Sequence, residues 1–480
     1  MTMTSVTTID GSYGEGGGQI LRNACTYAAI LGSNVRITNI RAGRKVPGLR
    51  PQHLVGLRML AAISGGFLAE GNNVGSTEIL FVGEKRDDNE DSTDLDSPYR
   101  IRDVTDDIER MKDTAFGEEK LTLIGDTQTA GSVCLLMQTI LPFALFCGNS
   151  IDEDGAVTNT DGLLRIILKG GTDVDFSPPI DYYRFVFLPI LQNYCYLVAG
   201  KDEAEIKSEE LRQALIISLI RRGFFPRGGG EIRLAIHRLS LKTLPLPPIR
   251  LTERGSIISI IIRAFAVGKC PLSMAQTVST ICKQLIQCNP RYKTIPVTIE
   301  ISNESEQPLH TDKMTADPGR GKKRPRSVNS GCGVLIMART DKGCLLGGSS
   351  IGSPKIPLNE TARIATQEIV DAMDGGGCVD DYLQDQLILY MALADGVSEI
   401  VTNSLTLHTK TAIWLASKML PKVSFEITNL GTVEQDAKTT GRLNTTELMP
   451  PSINDKDRRI GERIPGRHRI RCHGIGFSSS

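Results

Sequence analysis

Hydrophobic positions fall along this chain with two spacings, and each spacing predicts a different element. Between Gln19 and Leu31, and again between Leu54 and Ile63, apolar residues recur at helical intervals and would line one face of an α-helix. Asn34–Ile40 and Thr77–Val82 alternate apolar with polar residues, the period of a half-buried strand. Ser132–Cys147 reads as a mostly apolar helix bent at Pro142, whose ring removes a backbone donor. Farther on, Tyr382–Ala394 is predicted as a helix, Ile400–Leu407 as a strand and Thr411–Leu420 as a helix, before a short closing run, Arg467–Phe477.

A middle region has its own order of elements. Strands at Ser256–Val267 and Ile295–Ile301 flank a helix at Leu272–Cys288, Val334–Arg339 and Gly343–Ser349 pair as a hairpin, and Asn359–Met373 is an amphipathic helix. Strand, helix, three strands and helix predict a small inserted α/β domain over 251–375, with 1–250 and 376–480 forming a large domain around it. An internal match points the same way. Gly11-Ser-Tyr-Gly-Glu-Gly-Gly-Gly-Gln-Ile20 and Gly223-Phe-Phe-Pro-Arg-Gly-Gly-Gly-Glu-Ile232 share one pattern, each followed by an apolar-rich run. Repetition of this kind predicts a core built from copies of one α/β unit.

Three segments break the periodicity. Residues 84–119 hold fourteen acidic and six basic side chains with few large apolar ones, and read as a solvated loop. Residues 304–330 are polar and contain Lys322-Lys-Arg-Pro-Arg326, which reads either as a nuclear-import address or as a basic loop in contact with RNA or solvent. Residues 434–466 are an irregular stretch rich in Thr, Asn, Lys, Arg and Pro.

At 480 residues and 40% hydrophobic content the chain can bury a large core, so a disordered or fibrous protein is excluded. Its 47 glycines suit tight turns and backbone-lined sites. Eleven cysteines are scattered without a C-x-x-C pair, which argues against a zinc ribbon and for reduced thiols inside a cell. Met1–Asp10 lacks the basic and apolar regions of a secretory signal. The longest apolar stretch, Leu135–Cys147, is too short to span a bilayer, so a soluble protein with no membrane partner is expected.

Charge changes the picture locally. Lys plus Arg equals Asp plus Glu at 55 each, so net charge carries no information about partners. Between Gly16 and Ala69, however, Arg22, Arg36, Arg41, Arg44, Lys45, Arg50 and Arg58 occur with no acid at all, a formal +7. Guanidinium groups around loop glycines suit phosphate oxygens, although some of these side chains would simply meet solvent on a helix face. Gly14-Glu-Gly-Gly-Gly18 ahead of a helix leaves backbone N–H groups free to approach an anion, and tight strand–helix packing uses glycine equally well. No G-x-x-x-x-G-K-[ST] occurs, which argues against a P-loop, and the Lys-x-Asp-Gly signature of lysine-based nucleotidyl transferases is absent. Near the C-terminus, Tyr382-Leu-Gln-Asp-Gln386 and Thr406-Leu-His408 bring a carboxylate, amides and an imidazole together in sequence. His408 stands where a helix begins, a place that attracts phosphate and keeps the ring neutral and nucleophilic. Among six histidines the residues alone do not choose a nucleophile, and His53, after the basic stretch, is the rival.

Together these segments resemble the RNA 3′-terminal phosphate cyclase family. The resemblance is carried by Glu15-Gly-Gly-Gly-Gln-Ile-Leu-Arg22, Ile40-Arg-Ala-Gly-Arg44, Pro47-Gly-Leu-Arg-Pro-Gln-His53, Thr129-Ala-Gly-Ser-Val-Cys-Leu-Leu-Met-Gln138, Gly170-Gly-Thr172, Gly223-Phe-Phe-Pro226, Tyr382–Gln386 and Thr406–His408, in family order over nearly the whole chain. It implies an α/β (α+β) fold of three repeated units, as in enolpyruvyl transferases, with a smaller inserted domain. It implies an ATP-dependent reaction in which His408 takes AMP, passes it to an RNA 3′-phosphate, and the neighbouring 2′-hydroxyl closes a 2′,3′-cyclic phosphate. Gln138, Pro178, Tyr382, Asp385, Gln386 and His408 would form the ATP pocket, with Pro178 and Tyr382 on either face of adenine. Glu15, Arg22, Arg41, Arg44, Arg50, Gln52 and His53 would line the phosphate and RNA side, and magnesium or manganese would accompany the triphosphate; no metal ligands are assigned. Lys410 departs from the family, standing where glutamine is expected. RNA 3′-phosphate ends are the implied partner, with oligomeric state left open; the Lys322–Arg326 cluster points to the nucleus, with the cytoplasm as the alternative. The rival inside the family is its non-catalytic, ribosome-assembly branch, against which His408, Tyr382 and Asp385 argue. An enolpyruvyl transferase is suggested by fold alone.

Overall fold

The computed structural model describes residues 6–83, 108–113, 120–146, 150–151, 157–158, 163–198, 215–237, 246–303, 330–431, 442–443 and 463–477. Most of the three irregular segments, Lys322–Arg326 included, lies outside the described residues.

Three sheets share one topology. In the first, Val6–Asp10 runs parallel to Asn34–Thr38, joined by α1 (Gly18–Leu31). After α2 (Pro51–Ser64), Phe67–Glu70 and Ile79–Val82 complete the sheet, with Ile79–Val82 against Asn34–Thr38 and Phe67–Glu70 at the edge. Strand, helix, strand, helix and two strands thus give the spatial order first, second, fourth, third.

The second sheet repeats it. Lys120–Asp126 is parallel to Leu163–Gly170 across α3 (Val133–Phe146), and Gly230–His237 and Leu215–Arg221 lie outward of these. Between them in the chain lies a helical run: α4 (Ile180–Tyr182), a π-helical turn at Tyr183–Phe187, and α5 (Leu188–Val198). The third sheet pairs Arg250–Leu251 in parallel with Val397–Thr402, then adds Arg467–His473 and Ser424–Gly431.

The middle region enters this third unit after its first strand. Ile257–Val267, Val297–Asn303, Gly331–Thr340 and Leu345–Ile351 form a four-stranded sheet with α6 (Leu272–Cys288) and α7 (Leu358–Asp374), around an apolar cluster that includes Ile260, Val278, Ile336 and Ile369. The chain then resumes the third unit with α8 (Asp381–Leu393) and α9 (Leu407–Met419). The fold is therefore mixed α/β, as the periodicity predicts.

The helices pack together inside, α1 against α2, α3 and α9, and α8 against α9. Fully buried Ile20, Leu21, Tyr27, Met137, Ile140, Leu387 and Ile413 join one continuous core. The first turns of α1, α2 and α9 reach one edge of this core, where side-chain hydrogen bonds tie α1 to α8 and α9.

Three readings change. The two glycine-rich copies are not equivalent: the first is a turn from strand into α1, whereas the second closes a hairpin whose run Ile232, Leu234, Ile236 alternates as a strand. The real repeat is topological. Ile108–Asp113, within the acidic segment, is an edge strand paired antiparallel to Lys120–Asp126, because its backbone finds a partner that composition does not reveal. The predicted strand Ile400–Leu407 stops at Thr402 and α9 begins at Leu407, since the Thr406 hydroxyl caps the helix by accepting from Thr409 N.

Candidate active site

The glycine-rich turn sets the first wall. Gly14 and Gly16 adopt left-handed φ of 56° and 57°, which bends the chain sharply into α1. Glu15 N donates to Thr411 Oγ1 at 3.2 Å, tying this turn to α9. The Glu15 carboxylate pairs with Arg44, whose Nη2 also donates to the Glu15 carbonyl at 3.2 Å.

Gln19, in the first turn of α1, bridges two helices of the third unit. Its Nε2 donates to Asp385 Oδ2 at 2.7 Å, and its Oε1 lies 3.3 Å from His408 Nδ1. The carboxylate accepts, so the amide nitrogen must face Asp385 and the amide oxygen must face the imidazole. His408 Nδ1 is therefore the donor to that oxygen, so in the neutral ring the lone pair belongs to Nε2. His408 is exposed at the second residue of α9, on the edge of the helix N-terminus. Asp385 is half-buried, and burial pushes its carboxyl up to about 6, against the pull of His408 and Arg22.

A cleft of about 410 Å³, counting its open mouth, continues from Gln19 and Asp385 between α1, α3, the π-helical turn and α8. Gln138, Tyr183 and Gln386 add polar groups to its apolar wall. Gln386 Nε2 donates to Tyr382 O at 2.6 Å, while its buried Oε1 has no partner among the described residues. An acceptor left open in a cleft fits a ligand bearing an amino group. Gln138 Oε1 accepts from Arg22 Nε at 3.1 Å, and burial lowers the Arg22 pKa.

Tyr382 does not line this cleft but packs on Tyr182 beside it, and Pro178, two residues ahead of α4, is buried. Tyr182 packs edge-on against Tyr382 with ring centroids 5.3 Å apart, and its hydroxyl donates to Asp380 Oδ1 at 2.6 Å. Asp380 in turn caps α8 by accepting from Tyr382 N and Leu383 N, and accepts from Gly347 N of the inserted sheet at 2.8 Å. One buried carboxylate so fixes the position of Tyr382 against two other elements.

The basic stretch divides. Arg36 pairs with Glu70 and Glu78, and Arg58 binds Asn72, both away from the glycine-rich turn, so the +7 window is not one surface. Arg41 Nη1 donates to Val46 O and Gly48 O, both at 3.0 Å, and braces its own loop. Arg50 is exposed at the start of α2, and Gln52 Oε1 accepts from Ser132 N at 2.9 Å. His53 is buried at 6% exposure, and its Nδ1 accepts from Arg50 N at 3.1 Å. Burial, then the charges of Arg22, Arg41 and Arg50, push its pKa down to about 3. The geometry separates the two histidines: His53 is an enclosed neutral ring, and His408 is the open one.

A family model described as RNA 3′-terminal phosphate cyclase matches residues 13–427 of this chain. The chain belongs to that family. It is 30% identical over 451 residues to a probable RNA 3′-terminal phosphate cyclase of Dictyostelium discoideum, covering 93% of this chain and 84% of the relative. The RNA 3′-terminal phosphate cyclase of Drosophila melanogaster is 31% identical over 415 residues, 86% of this chain and 90% of that one. The protein of that name from Staphylothermus marinus is 33% identical over 423 residues, 87% and 93% respectively.

Within this cyclase-family site, sequence reasoning overlooked Gln19, Asn23 and Tyr183. Gln19 sits inside the family stretch Glu15–Arg22, but its role depends on a partner 389 positions away. Lys410 is buried, and two residues along an α-helix turn its Cβ about 200° from that of exposed His408. Among the described residues no three His, Cys, Asp or Glu side chains are grouped to hold a metal ion, and no helix is long and apolar enough to cross a membrane.

Proposed function

We propose that this chain is an ATP-dependent RNA 3′-phosphate cyclase that works through His408. The observation that carries the reading is the line Asp385–Gln19–His408, which holds Nδ1 as the donor and so makes Nε2, on an exposed ring at a helix N-terminus, the nitrogen that bears the lone pair in the neutral tautomer. That lone pair would attack the α-phosphorus of ATP, forming a nitrogen–phosphorus bond as the bond to pyrophosphate breaks. An oxygen of the RNA 3′-phosphate then takes the adenylyl group and frees the imidazole. Last, the adjacent 2′-oxygen attacks the 3′-phosphorus and AMP leaves. A bare 3′-phosphate oxygen is a poor leaving group and AMP is a good one, which is why three steps replace one.

The open Gln386 Oε1 would accept from the adenine amino group, with Gln138 and Asp385 orienting the nucleotide and Tyr382 and Pro178 contacting the base. Glu15, Arg22, Arg41, Arg44, Arg50, Gln52 and His53 would serve the phosphate and RNA side. Magnesium or manganese would neutralise triphosphate charge when bound, entering with the nucleotide because the described residues offer no cage of their own. Lys322–Arg326 supports a nuclear location.

The deciding experiment is incubation with α-labelled ATP and a divalent cation, beside His408→Ala. Acid-labile, alkali-stable label that is lost in the variant supports the reading, as does a cyclic end on an added RNA 3′-phosphate. Folded protein that binds RNA yet takes no label would return it to the non-catalytic branch.

A further inference from the structure

Phe176 and Phe225 are the two most exposed large apolar side chains among the described residues, at 101% and 77%. They stand on adjacent loops. Thr172 N and Asp173 N both donate to Gly223 O, at 2.9 and 3.1 Å, and Asp173 bridges Phe224 in parallel. Phe224 turns inward, buried against Phe265, while the next residue faces solvent. The turn is closed by Gly228 N to Phe224 O at 2.8 Å, and Gly228 lies so close to the 127–132 loop that a Cβ would fall 2.1 Å from Thr129 O.

Phe176 is held out against its own backbone preference. Its φ is +62°, a conformation that costs any residue except glycine. Nothing the ring touches offsets that cost, for it is bare to water. A strained backbone that presents an aromatic ring outward points to a surface kept for a ligand. The loop is anchored one residue later, where Ser177 Oγ lies 2.6 Å from Ser132 Oγ. Ser132 N donates to Gln52, two residues after exposed Arg50, so the loop that carries the ring is tied to the start of α2. Exposed Arg227 comes two residues after Phe225, and Arg221 Nε donates to Gly229 O at 2.7 Å on the same turn. Asp175 is the one carboxylate exposed beside these rings on the two loops.

We propose that Phe176 and Phe225 form a stacking platform for the unpaired bases at the 3′ end of RNA, with Arg50 and Arg227 on the backbone phosphates. This rests on the proposed function for its choice of ligand. Aromatic faces with interleaved cations bind single-stranded nucleic acid with little sequence preference, because every base has a π-face. The platform therefore reads strandedness rather than sequence: a duplex end keeps its bases stacked on each other and gains nothing.

The test measures binding of a short unstructured oligoribonucleotide ending in a 3′-phosphate, by fluorescence anisotropy, with the full chain. Phe176→Ala and Phe225→Ala should each weaken binding roughly tenfold. Phe→Tyr or Phe→Trp should restore it, and Phe→Leu, equally apolar but unable to stack, should not. An oligonucleotide with abasic residues at its 3′ end should bind wild type and variants alike. Unchanged affinity in the double alanine variant, or full rescue by leucine, overturns the platform. So does sedimentation showing that wild type self-associates and the double variant does not, since the patch is then a contact between copies. Self-labelling of the unsubstituted protein by ATP, without RNA, is measured separately: its failure with phenylalanine-dependent RNA binding intact would sink the proposed reaction and leave the platform standing.

Discussion

Replacing Gln19 by alanine tests the assigned tautomer at its one mechanical link. The amide makes a bond of 2.7 Å to the Asp385 carboxylate and one of 3.3 Å to His408 Nδ1. A hydrogen bond to a charged group is worth about 1.5–3 kcal/mol and a neutral one about 0.5–1.5. Little of this appears as stability, because water can enter beside half-buried Asp385 and exposed His408. It appears in the reaction. Without Gln19 the imidazole divides between its two tautomers and rotates freely, so the ring must be ordered on the way to the transition state. The bond lost to the imidazole is the neutral one, and about 0.5–1.5 kcal/mol corresponds to a slowing of roughly two- to twelvefold in self-labelling. The assay is single-turnover formation of the covalent nucleotide with saturating α-labelled ATP, with thermal unfolding as a control for the fold. Labelling of Gln19→Ala at the wild-type rate would refute the assigned role of Nδ1, and with it the choice of Nε2 as nucleophile.

The same geometry sets four further outcomes. Asp385 titrates near 6, so self-labelling should rise with pH through about 6 as its carboxyl becomes the obligate acceptor for Gln19, and Asp385→Asn should flatten that step; an unchanged profile counts against the line of three residues. The folded chain holds that proton more tightly than the unfolded one at 3.8, so the group's stabilising contribution is full below about 4 and is lost as pH rises through about 6, which melting across pH would detect against Asp385→Asn. Asp380→Ala removes a helix cap and strands the Tyr182 hydroxyl and Gly347 N–H, costing about 3 kcal/mol by urea denaturation, and a loss below about 1 kcal/mol would mean that these donors find water. Gly18→Ala would set a Cβ 2.4 Å from His53 Nε2 and 2.8 Å from Arg22 Nη1, so cyclisation should fall with the melting temperature lowered by only a few degrees; full activity would show that both side chains give way freely.

Local spacing determined much of the secondary structure. The helix at Leu272–Cys288 and the hairpin around Gly343 arise from residues within a few positions of each other, and so were legible. So was the stretch that carries the family, because its glycine-rich turns are spelled locally, although the Thr406 cap is hidden within a run that reads as strand to Leu407. What the sequence left open involves partners far apart along the chain. Ile108–Asp113 becomes a strand only through its neighbour. The second glycine-rich copy becomes a hairpin because antiparallel pairing, not the glycines, sets the conformation of the apolar run after it. The uniform basic window splits when Glu70 and Glu78 claim Arg36 and Glu15 claims Arg44. His53 and His408 are chemically alike in sequence, and burial beside three arginines keeps the first neutral and enclosed while the second stays open. Gln19 acquires its role only where α1 meets α8 and α9, and two phenylalanines that composition would assign to the core stand bare in solvent. Residue type and spacing act over a turn or two of chain, whereas protonation state and exposure are set by what the fold brings against each side chain.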